Sequence, residues 1–278
     1  MRKVDLKVFA LIQLTFRESF AKKTFMGFLG ISTFVCFLFV FALNLDIVDG
    51  AQSYITIFGA EVDQSFDLQN ILLGLEGGVA GILFIVGIFL SLFATSNLIP
   101  SLLQPGSIDI LISKPVSRMQ ILIGRYLGAI AIVAFNIFYM IIISWLIISI
   151  KTTIWNWSFL LSGVMIVLTF AILFSLMTFL GVTTRSGPFS LMITYLIFFI
   201  STPLLARDKI YALLSSKVYG YILDGLYYSL PRVAELGNTT QILVRGHSDF
   251  SWSPILTSTF FAITMLSAST LIFSKKNF

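Results

Sequence analysis

Six long stretches of this chain contain no Asp, Glu, Lys or Arg, and they constrain its fold more than any other feature. The stretches are residues 24–45, 77–108, 126–150, 152–184, 186–206 and 250–274. A helix that crosses a bilayer needs about 20 mainly apolar residues, so each stretch is long enough to span a membrane. We therefore predict an all-α integral membrane protein with six transmembrane helices.

The composition excludes a soluble globular protein. Of the 278 residues, 57% are hydrophobic and 11% are charged, whereas soluble domains have about 25% charged residues. The net charge of +5 comes from basic residues that lie between the apolar stretches, which membrane topology explains better than nucleic-acid binding. With one cysteine, Cys36, and one histidine, His247, we expect neither an internal disulfide nor a metal cluster.

We treat residues 1–278 as a single transmembrane domain. The first apolar stretch is too long and begins too late to be a cleaved signal peptide. The longest stretches exceed one crossing, so their ends must be polar loop. The predicted spans are residues 25–45, 77–99, 121–148, 158–182, 187–206 and 253–273.

The charges in the loops predict the orientation of the spans. The segment before the first span is basic, and the loop 46–76 has six acidic residues, the last of them Glu76, but no Lys or Arg. The positive-inside rule therefore places both termini in the cytoplasm and leaves the loops 46–76 and 207–252 outside an inner (cytoplasmic) membrane. The basic residues predicted to lie inside are Arg2, Lys3, Lys7, Arg17, Lys22, Lys23, Lys114, Arg118, Arg185, Lys275 and Lys276.

Several segments outside the spans also show regular patterns. Residues 5–22 carry an apolar stripe at helical spacing, typical of an amphipathic helix in the cytoplasmic interface, although a helix packed on its own bundle would look the same. Residues 53–58 alternate like an external strand. Residues 208–228 have helical spacing and are expected to lie across the outer face, followed by a short turn or helix at 231–236.

The spans lack the groups that membrane enzymes and proton-coupled transporters use. Apart from Arg125, near the cytoplasmic end of the third, they contain almost no ionisable residue. The sequence has no metal-binding His-Glu-x-x-His helix, no Gly-x-Ser-x-Gly turn and no P-loop. We therefore expect that this chain is not an enzyme and that it binds no cofactor of its own.

Uncharged polar residues in the spans are candidates for a translocation path. The alternative is that they form hydrogen bonds between helices, each contributing about 0.6 kcal/mol. The Gly77-x-x-x-Gly81 spacing likewise indicates that two helices approach closely, and it is a packing signal more than a functional one. The candidate path residues are Asn44, Thr95, Asn97, Asn136, Tyr139, Thr194, Tyr195 and Thr259.

The segment between the second and third spans, QPGSIDILISKPVSRMQILIGRYLG at 104–128, is the most informative. Ser107 is suited to cap a short helix, and Pro115 disfavours helical geometry at Lys114, so that this helix ends there. Ser117 and Gln120 have the spacing of a capping box at the start of the third span. The pattern predicts a short cytoplasmic helix joined by a rigid corner to a transmembrane helix, although a tight anchored turn would also fit.

This segment resembles the first intracellular loop of type-2 ABC transporter permeases, the membrane subunits of exporters, and the chain looks similar overall to the permease of the nitrous-oxide-reductase maturation transporter. In relatives acidic residues commonly precede the Gly-Ser pair, whereas this chain has Leu102-Leu103-Gln104-Pro105. The residues that match the family pattern are Gly106, Ser107, Ile108, Asp109, Leu111, Ser113, Lys114, Pro115, Val116, Ser117, Arg118, Gly124 and Gly128, with Arg125 in place of the usual Lys.

The resemblance implies a coupling helix at about 105–114 that docks on a separate ATP-binding cassette ATPase. It also implies two copies of that ATPase, which would bind ATP and Mg, and a second permease copy, identical or related. The residues implied at the ATPase interface are Ile108, Asp109, Leu111, Lys114, Pro115 and Arg118.

Two other function classes remain open from the sequence. One is a secondary transporter or channel that acts alone, against which stand the missing intramembrane charges and the lack of obvious inverted repeats. The other is a membrane scaffold or assembly factor, which only the coupling-loop resemblance disfavours. The substrate is not indicated, because one fold serves many cargoes.

Overall fold

The long helices of this protein lie where the apolar stretches are. The computed structural model describes residues 27, 29–34, 37, 43–48, 52–57, 60–61, 68–103, 117–207, 217–247 and 249–275. Within them, five helical stretches are long and apolar enough to cross a membrane, and they coincide with the last five predicted spans. These stretches are Leu72–Leu103, Arg118–Thr152, Ser158–Thr184, Gly187–Leu205 and Ser253–Lys275.

About half of the predicted first span, 25–45, lies outside the described residues, and so does the whole of the predicted interfacial helix 5–22. Residues 29–34 are helical, and Ser32 Oγ donates a buried 3.0 Å hydrogen bond to Asn136 Oδ1 in the third span. The predicted end of this span at residue 45 is wrong, because a β-strand begins at Leu43. Asn44 therefore belongs to a strand and not to a transmembrane helix.

A small antiparallel sheet of three short strands follows the first helical segment and precedes the helices of the bundle. Its strands are β1 (Leu43–Val48), β2 (Gln52–Ile57) and β3 (Ala60–Glu61), in the order β1-β2-β3. The register pairs Leu43 with Ile57 and Thr56 with Glu61. The strand predicted at 53–58 is confirmed by β2, and its alternating pattern was the local signal.

The second span begins earlier than predicted and is not a uniform helix. It consists of α1 (Leu68–Ile82), a π-helical turn (Leu83–Gly87), α2 (Ile88–Thr95) and a 3-10 turn (Pro100–Leu103). Glu76 therefore lies inside the helix, where its side chain is completely buried. The prediction that Glu76 belongs to the loop 46–76 is wrong, because the helix already begins at Leu68 and the carboxylate accepts a hydrogen bond from the half-buried Asn156, a partner that the sequence pattern does not reveal.

The third span starts as its capping residues predict. It is the helix α3 (Arg118–Thr152), with Ser117 in extended geometry as its N-cap. The Gln120 backbone N–H donates to Ser117 Oγ at 3.2 Å, and the Ser117 N–H donates to Gln120 Oε1 at 3.0 Å. The capping box predicted from Ser117 and Gln120 is therefore confirmed at the start of α3.

The fourth span, α4 (Ser158–Thr184), is the centre of the bundle. In its most apolar window 67% of the residues are buried, against 22% in α5 (Gly187–Leu205), so α4 is the helix on which the others pack. Its fully buried side chains include Phe159, Phe170 and Phe174. Since this helix carries no charged residue, no part of its surface requires water.

The segment before the last span forms two helices, α6 (Lys217–Ser229) and α7 (Val233–Val244), and the last span is α8 (Ser253–Lys275). Helix α6 covers part of the predicted 208–228 helix, whose first residues lie outside the described ones. The predicted 231–236 turn is too short, because α7 continues to Val244. The buried residues Leu236, Thr240 and Val244 follow at intervals of four, so that one face of α7 packs on the bundle.

We predict that Ser117→Ala loosens the first turn of α3. Loss of an N-cap side chain costs about 1 kcal/mol, which corresponds to about fivefold faster local opening. Hydrogen exchange at the Gln120 amide of the purified protein measures this change. Gln120→Glu keeps both bonds of the capping box and should leave exchange unchanged, whereas unchanged exchange in Ser117→Ala would contradict the capping role.

Candidate coupling and translocation sites

The antiparallel helices give the bundle two ends with different chemistry. We call the end at which span two finishes and α3 begins the lower end; it carries Arg118, Arg185 and Lys275. The opposite, upper end carries Trp145, Trp155 and Trp157, which form edge and tilted ring contacts with centroids 5.1 and 4.8 Å from that of Trp145. Tryptophan clusters of this kind are typical of membrane–water interfaces.

The coupling segment leaves the bundle at the lower end. Of the six residues implied at the ATPase interface, the structure describes Arg118, which is half-buried at the first position of α3. The other five lie outside the described residues: Ile108, Asp109, Leu111, Lys114 and Pro115. The structure thus describes both anchors of this segment, the 3-10 turn that ends span two and the capped start of α3.

Close packing holds the first anchor. The ring of Pro100 lies against Gly181 near the end of α4, where a Cβ would come within 3.4 Å of Pro100 Cδ. A Cβ at Gly187 would come within 2.2 Å of Asn97 Oδ1, so this position requires glycine unless the Asn97 side chain moves. The lower ends of span two, α4 and α5 are thereby held together.

The second anchor is tied to the centre of α4. Arg125, two turns into α3, is 6% exposed. The neighbouring Tyr126 donates its hydroxyl to the Ala171 carbonyl at 2.8 Å, and its ring stacks on Phe174 with centroids 5.6 Å apart. A displacement of the start of α3 therefore acts directly on the central helix.

The candidate path residues do not converge on one polar surface. Thr95 and Thr194 are buried, and each hydroxyl donates to a carbonyl one turn earlier in its own helix, at Ser91 (2.7 Å) and Ser190 (2.8 Å). Thr259 is half-buried in α8. Hydroxyls satisfied in this way serve helix packing and offer little to a cargo.

Asn136 and Tyr139 face the helical residues 29–34. Asn136 is completely buried and accepts the Ser32 hydrogen bond already described, while the Tyr139 and Thr33 hydroxyls are 3.2 Å apart. These two residues join α3 to the first helical segment, which agrees with the packing alternative. The partners Ser32 and Thr33 were missed because hydroxyls in an apolar run carry no distinctive signal.

Tyr195 joins α5 to span two just beyond the π-helical turn. Its hydroxyl donates to the Phe89 carbonyl at 2.8 Å, and the two rings stack with centroids 4.0 Å apart and planes 8° apart. Exposed apolar side chains continue on both sides of this contact, and we call them the α2/α5 face. The face consists of Ile82, Ile85, Val86, Phe89 and Phe93 on span two and Phe189, Met192, Leu196 and Phe199 on α5.

The upper end contains a polar site that sequence reasoning missed. Glu76 Oε2 accepts a 2.6 Å hydrogen bond from Asn156 Nδ2, and the same nitrogen donates to the Val244 carbonyl at 2.9 Å. The Gln241 amide donates to the Gly77 carbonyl at 3.0 Å. The Gly77 and Gly81 positions thus accommodate the Gln241 side chain from α7.

A second polar cluster holds α6 to its neighbours at the upper end. The guanidinium groups of Arg207 and Arg232 lie 3.7 and 4.3 Å from the Tyr227 ring centre. The Tyr227 hydroxyl donates to the Glu235 carboxylate. Burial of the ring, together with that hydrogen bond, raises the pKa of Tyr227, so its hydroxyl remains a donor. Asp224 and Glu235 pair with the two arginines at 4.0 and 3.9 Å, so the cluster is balanced in charge.

Among the described residues no three His, Cys, Asp or Glu side chains come together to hold a metal ion. The polar contacts of the described helices are those of a packed bundle that has basic residues at its lower end and tryptophans and two polar clusters at its upper end. Five apolar helical stretches of spanning length, with the charge-free α4 at their centre, define a multi-pass membrane protein.

A comparison with models of protein families identifies the family to which this membrane protein belongs. The family model described as ABC-2 family transporter protein matches residues 9–275, nearly the whole chain, and the chain belongs to this family. The resemblance inferred from the coupling segment is confirmed at the level of the family. A search of curated proteins gave no significant match.

We predict that Tyr195→Phe lowers the stability of the bundle by about 1 kcal/mol, because it removes one hydrogen bond and keeps the ring stack. Tyr195→Leu should cost more, since it also removes the stack. Thermal unfolding of the purified protein in detergent measures both changes. Tyr221→Phe is the matched control because Tyr221 is 77% exposed; equal effects at both tyrosines would contradict the assigned contact.

Proposed function

We propose that this permease is the membrane subunit of an ATP-driven exporter whose ATP hydrolysis occurs on a separate ATPase. The observation that carries the proposal is the family match over residues 9–275. A family of membrane transporter proteins implies an ATPase partner. We assign the exporter direction, the two ATPase copies and the Mg-bound ATP on them from the coupling-loop resemblance.

The coupling helix at about 105–114 docks on that ATPase. Asp109 and Lys114 are its polar contacts, with Arg118 beside them, and Ile108 and Leu111 are its apolar ones. Pro115 makes the corner between this helix and α3. Nucleotide-driven movement of the ATPases pushes this corner, and the force enters the bundle at its two anchors.

The anchors support this mechanism because they are rigid. The capping box fixes the angle at which the chain enters α3, and the Tyr126 contacts tie α3 to α4. Pro100 against Gly181 ties the other anchor to the same helix. Movement of the coupling helix is then transmitted to spans two and three together and not absorbed in the loop.

The second permease copy, identical or related, packs on the α2/α5 face. This face presents nine exposed apolar residues on span two and α5, and in a membrane the association of helices is driven by van der Waals packing of their side chains. A translocation path between two copies would also explain why the polar residues of one copy do not form a path alone.

A self-contained secondary transporter remains the second candidate, and one observation favours it. Glu76 is a buried ionisable residue in the second span as the structure has it, Leu72–Leu103, and such residues are typical of proton and ion pathways. Against it, Glu76 lies at one end of the bundle, where it holds α7, and no further buried carboxylate follows it through the described helices.

We predict that combined charge reversal, Asp109→Lys with Lys114→Glu, abolishes co-purification of the ATPase and the ATP hydrolysis recovered with the tagged chain. The reversed charges repel the groups that the wild-type helix contacts. A pull-down of the tagged chain from its native membrane, followed by an ATPase assay, measures both effects. Asp249→Lys changes an exposed charge at the upper end and should have no effect; association that survives the double reversal would refute the docking site.

We predict that the upper end faces outward and the lower end faces the cytoplasm. In a Cys36→Ala background, a cysteine at Asp249 should react with a membrane-impermeant maleimide in intact cells. A cysteine at Arg185 should react only after the membrane is opened. The opposite labelling pattern would show that the topology is inverted. The coupling helix would then lie on the side of the membrane away from the ATPase, and the prediction would be refuted.

A further inference from the structure

Glu76 is a fully enclosed carboxyl group whose two oxygens have different environments. Its side chain is 0% exposed. Oε2 accepts the Asn156 hydrogen bond, whereas Oε1 has no hydrogen-bond partner among the described residues. One turn earlier, Leu72 forms an apolar cluster with Ile148 of α3.

No counter-charge compensates this group within the described residues. The helices that pack on α1 are α3, α4 and α7. Helix α4 has no charged residue. The charged residues on or next to α3 and α7 form no hydrogen bond or ion pair with Glu76. Glu235 pairs with Arg232, and Arg245, His247 and Asp249 are exposed after α7. The charged groups of α3 are Arg118, Arg125 and, in its last turn, Lys151.

An ionised carboxylate in such a place would be strongly unfavourable. Buried charges are tolerated when they are paired, and an isolated one is neutralised instead. The Asn156 amide is a single neutral donor, and it is shared with Val244. A proton is the smallest ligand that removes the charge, and it fits on Oε1, the oxygen without a partner.

The position of Glu76 links this proton to the docking of α7. Asn156 bridges Glu76 Oε2 and the carbonyl of Val244, the last residue of α7. One turn before the end of α7, Gln241 bonds the Gly77 carbonyl next to Glu76. Two hydrogen-bonded contacts therefore hold the end of α7 to span two, and one of them passes through the carboxyl group.

We propose that Glu76 is a proton-binding site at the upper end of the bundle, and that binding of the proton holds α7 docked on span two. When the proton leaves Oε1 for water, the carboxylate must be hydrated, and admitting water beside it separates the end of α7 and the 153–157 turn from Glu76, since Asn156 joins all three. The docked state binds one proton more than the released state, so docking weakens as the pH rises. This inference concerns only the upper end and does not depend on the ATPase.

Three tryptophans report directly on this site. Trp145 Nε1 donates to the backbone carbonyl of Asn156 at 2.9 Å, and Trp155 and Trp157 flank the same asparagine in sequence and contact the Trp145 ring. Displacement of Asn156 changes the surroundings of all three rings. The fourth tryptophan, Trp252, is 63% exposed and contacts Phe250 instead.

The first test is a pH titration of the intrinsic tryptophan emission of the purified full chain in lipid nanodiscs. We expect a single reversible transition in the wild type and its loss in Glu76→Gln, which has the shape of the protonated group and cannot ionise. His247→Gln and Trp252→Phe should retain the transition, because both residues lie outside the site. A flat wild-type titration, or the same transition in Glu76→Gln, would overturn the proposal.

The second test measures the docking of α7 itself. We compare hydrogen exchange at the Gln241–Val244 amides in the wild type and in Glu76→Gln at the same pH, so that the chemical exchange rate cancels. The ratio of the wild-type exchange rate to the Glu76→Gln exchange rate should be near one at low pH. At high pH it should rise several-fold, because only the wild type loses the proton and releases α7. A ratio that stays constant with pH would refute the link to α7. An infrared carboxylic-acid band that is present in the wild type and absent from Glu76→Gln identifies the proton independently of any movement.

Discussion

The charge-free helix α4 is the constraint on which the rest of the bundle depends. In a hydrocarbon environment each backbone N–H and C=O must be paired within the helix, and each side-chain hydroxyl must find an acceptor nearby. Ser162, Thr169, Ser175 and Thr178 all do so by donating to carbonyls three or four residues earlier at 2.6–2.8 Å. Helix α4 thus offers a surface of phenylalanines and small satisfied residues against which other helices pack closely.

The two ends of the bundle use this central helix differently. At the lower end, α3 and span two are both tied to α4, which makes the connection between them stiff and suited to receive a push. At the upper end, α7 is not a spanning helix, and its residues Val233, Leu236 and Val244 belong to the hydrophobic core of the bundle. Polar contacts add to this packing: the Ala234 N–H donates to Ser201 Oγ at 2.8 Å and the Arg232 N–H to Ser258 Oγ at 3.0 Å, in addition to the Glu76 and Gln241 contacts.

The residues that sequence reasoning chose for a translocation path show why polarity alone is a weak guide. A hydroxyl in an apolar run can bond its own helix, as that of Thr194 does, or donate to another chain segment, as that of Ser32 does to Asn136. Both hydroxyls lie in apolar runs, and only the packed structure distinguishes them. Glu76 was misplaced for the opposite reason: its charge argued for a water-exposed loop, and its donor, Asn156, lies 80 residues away.

The sequence by itself determined what depends on neighbouring residues. The five described spans follow from apolar length, the start of α3 from the Ser117 and Gln120 capping pair, and strand β2 from alternation, because each is a local free-energy preference. The tertiary structure alone decided which helix is central, that the Gly77 and Gly81 positions accommodate Gln241, and that a carboxyl group can remain buried beside α7. These outcomes depend on contacts between residues distant in sequence, and no local pattern encodes which partners will meet.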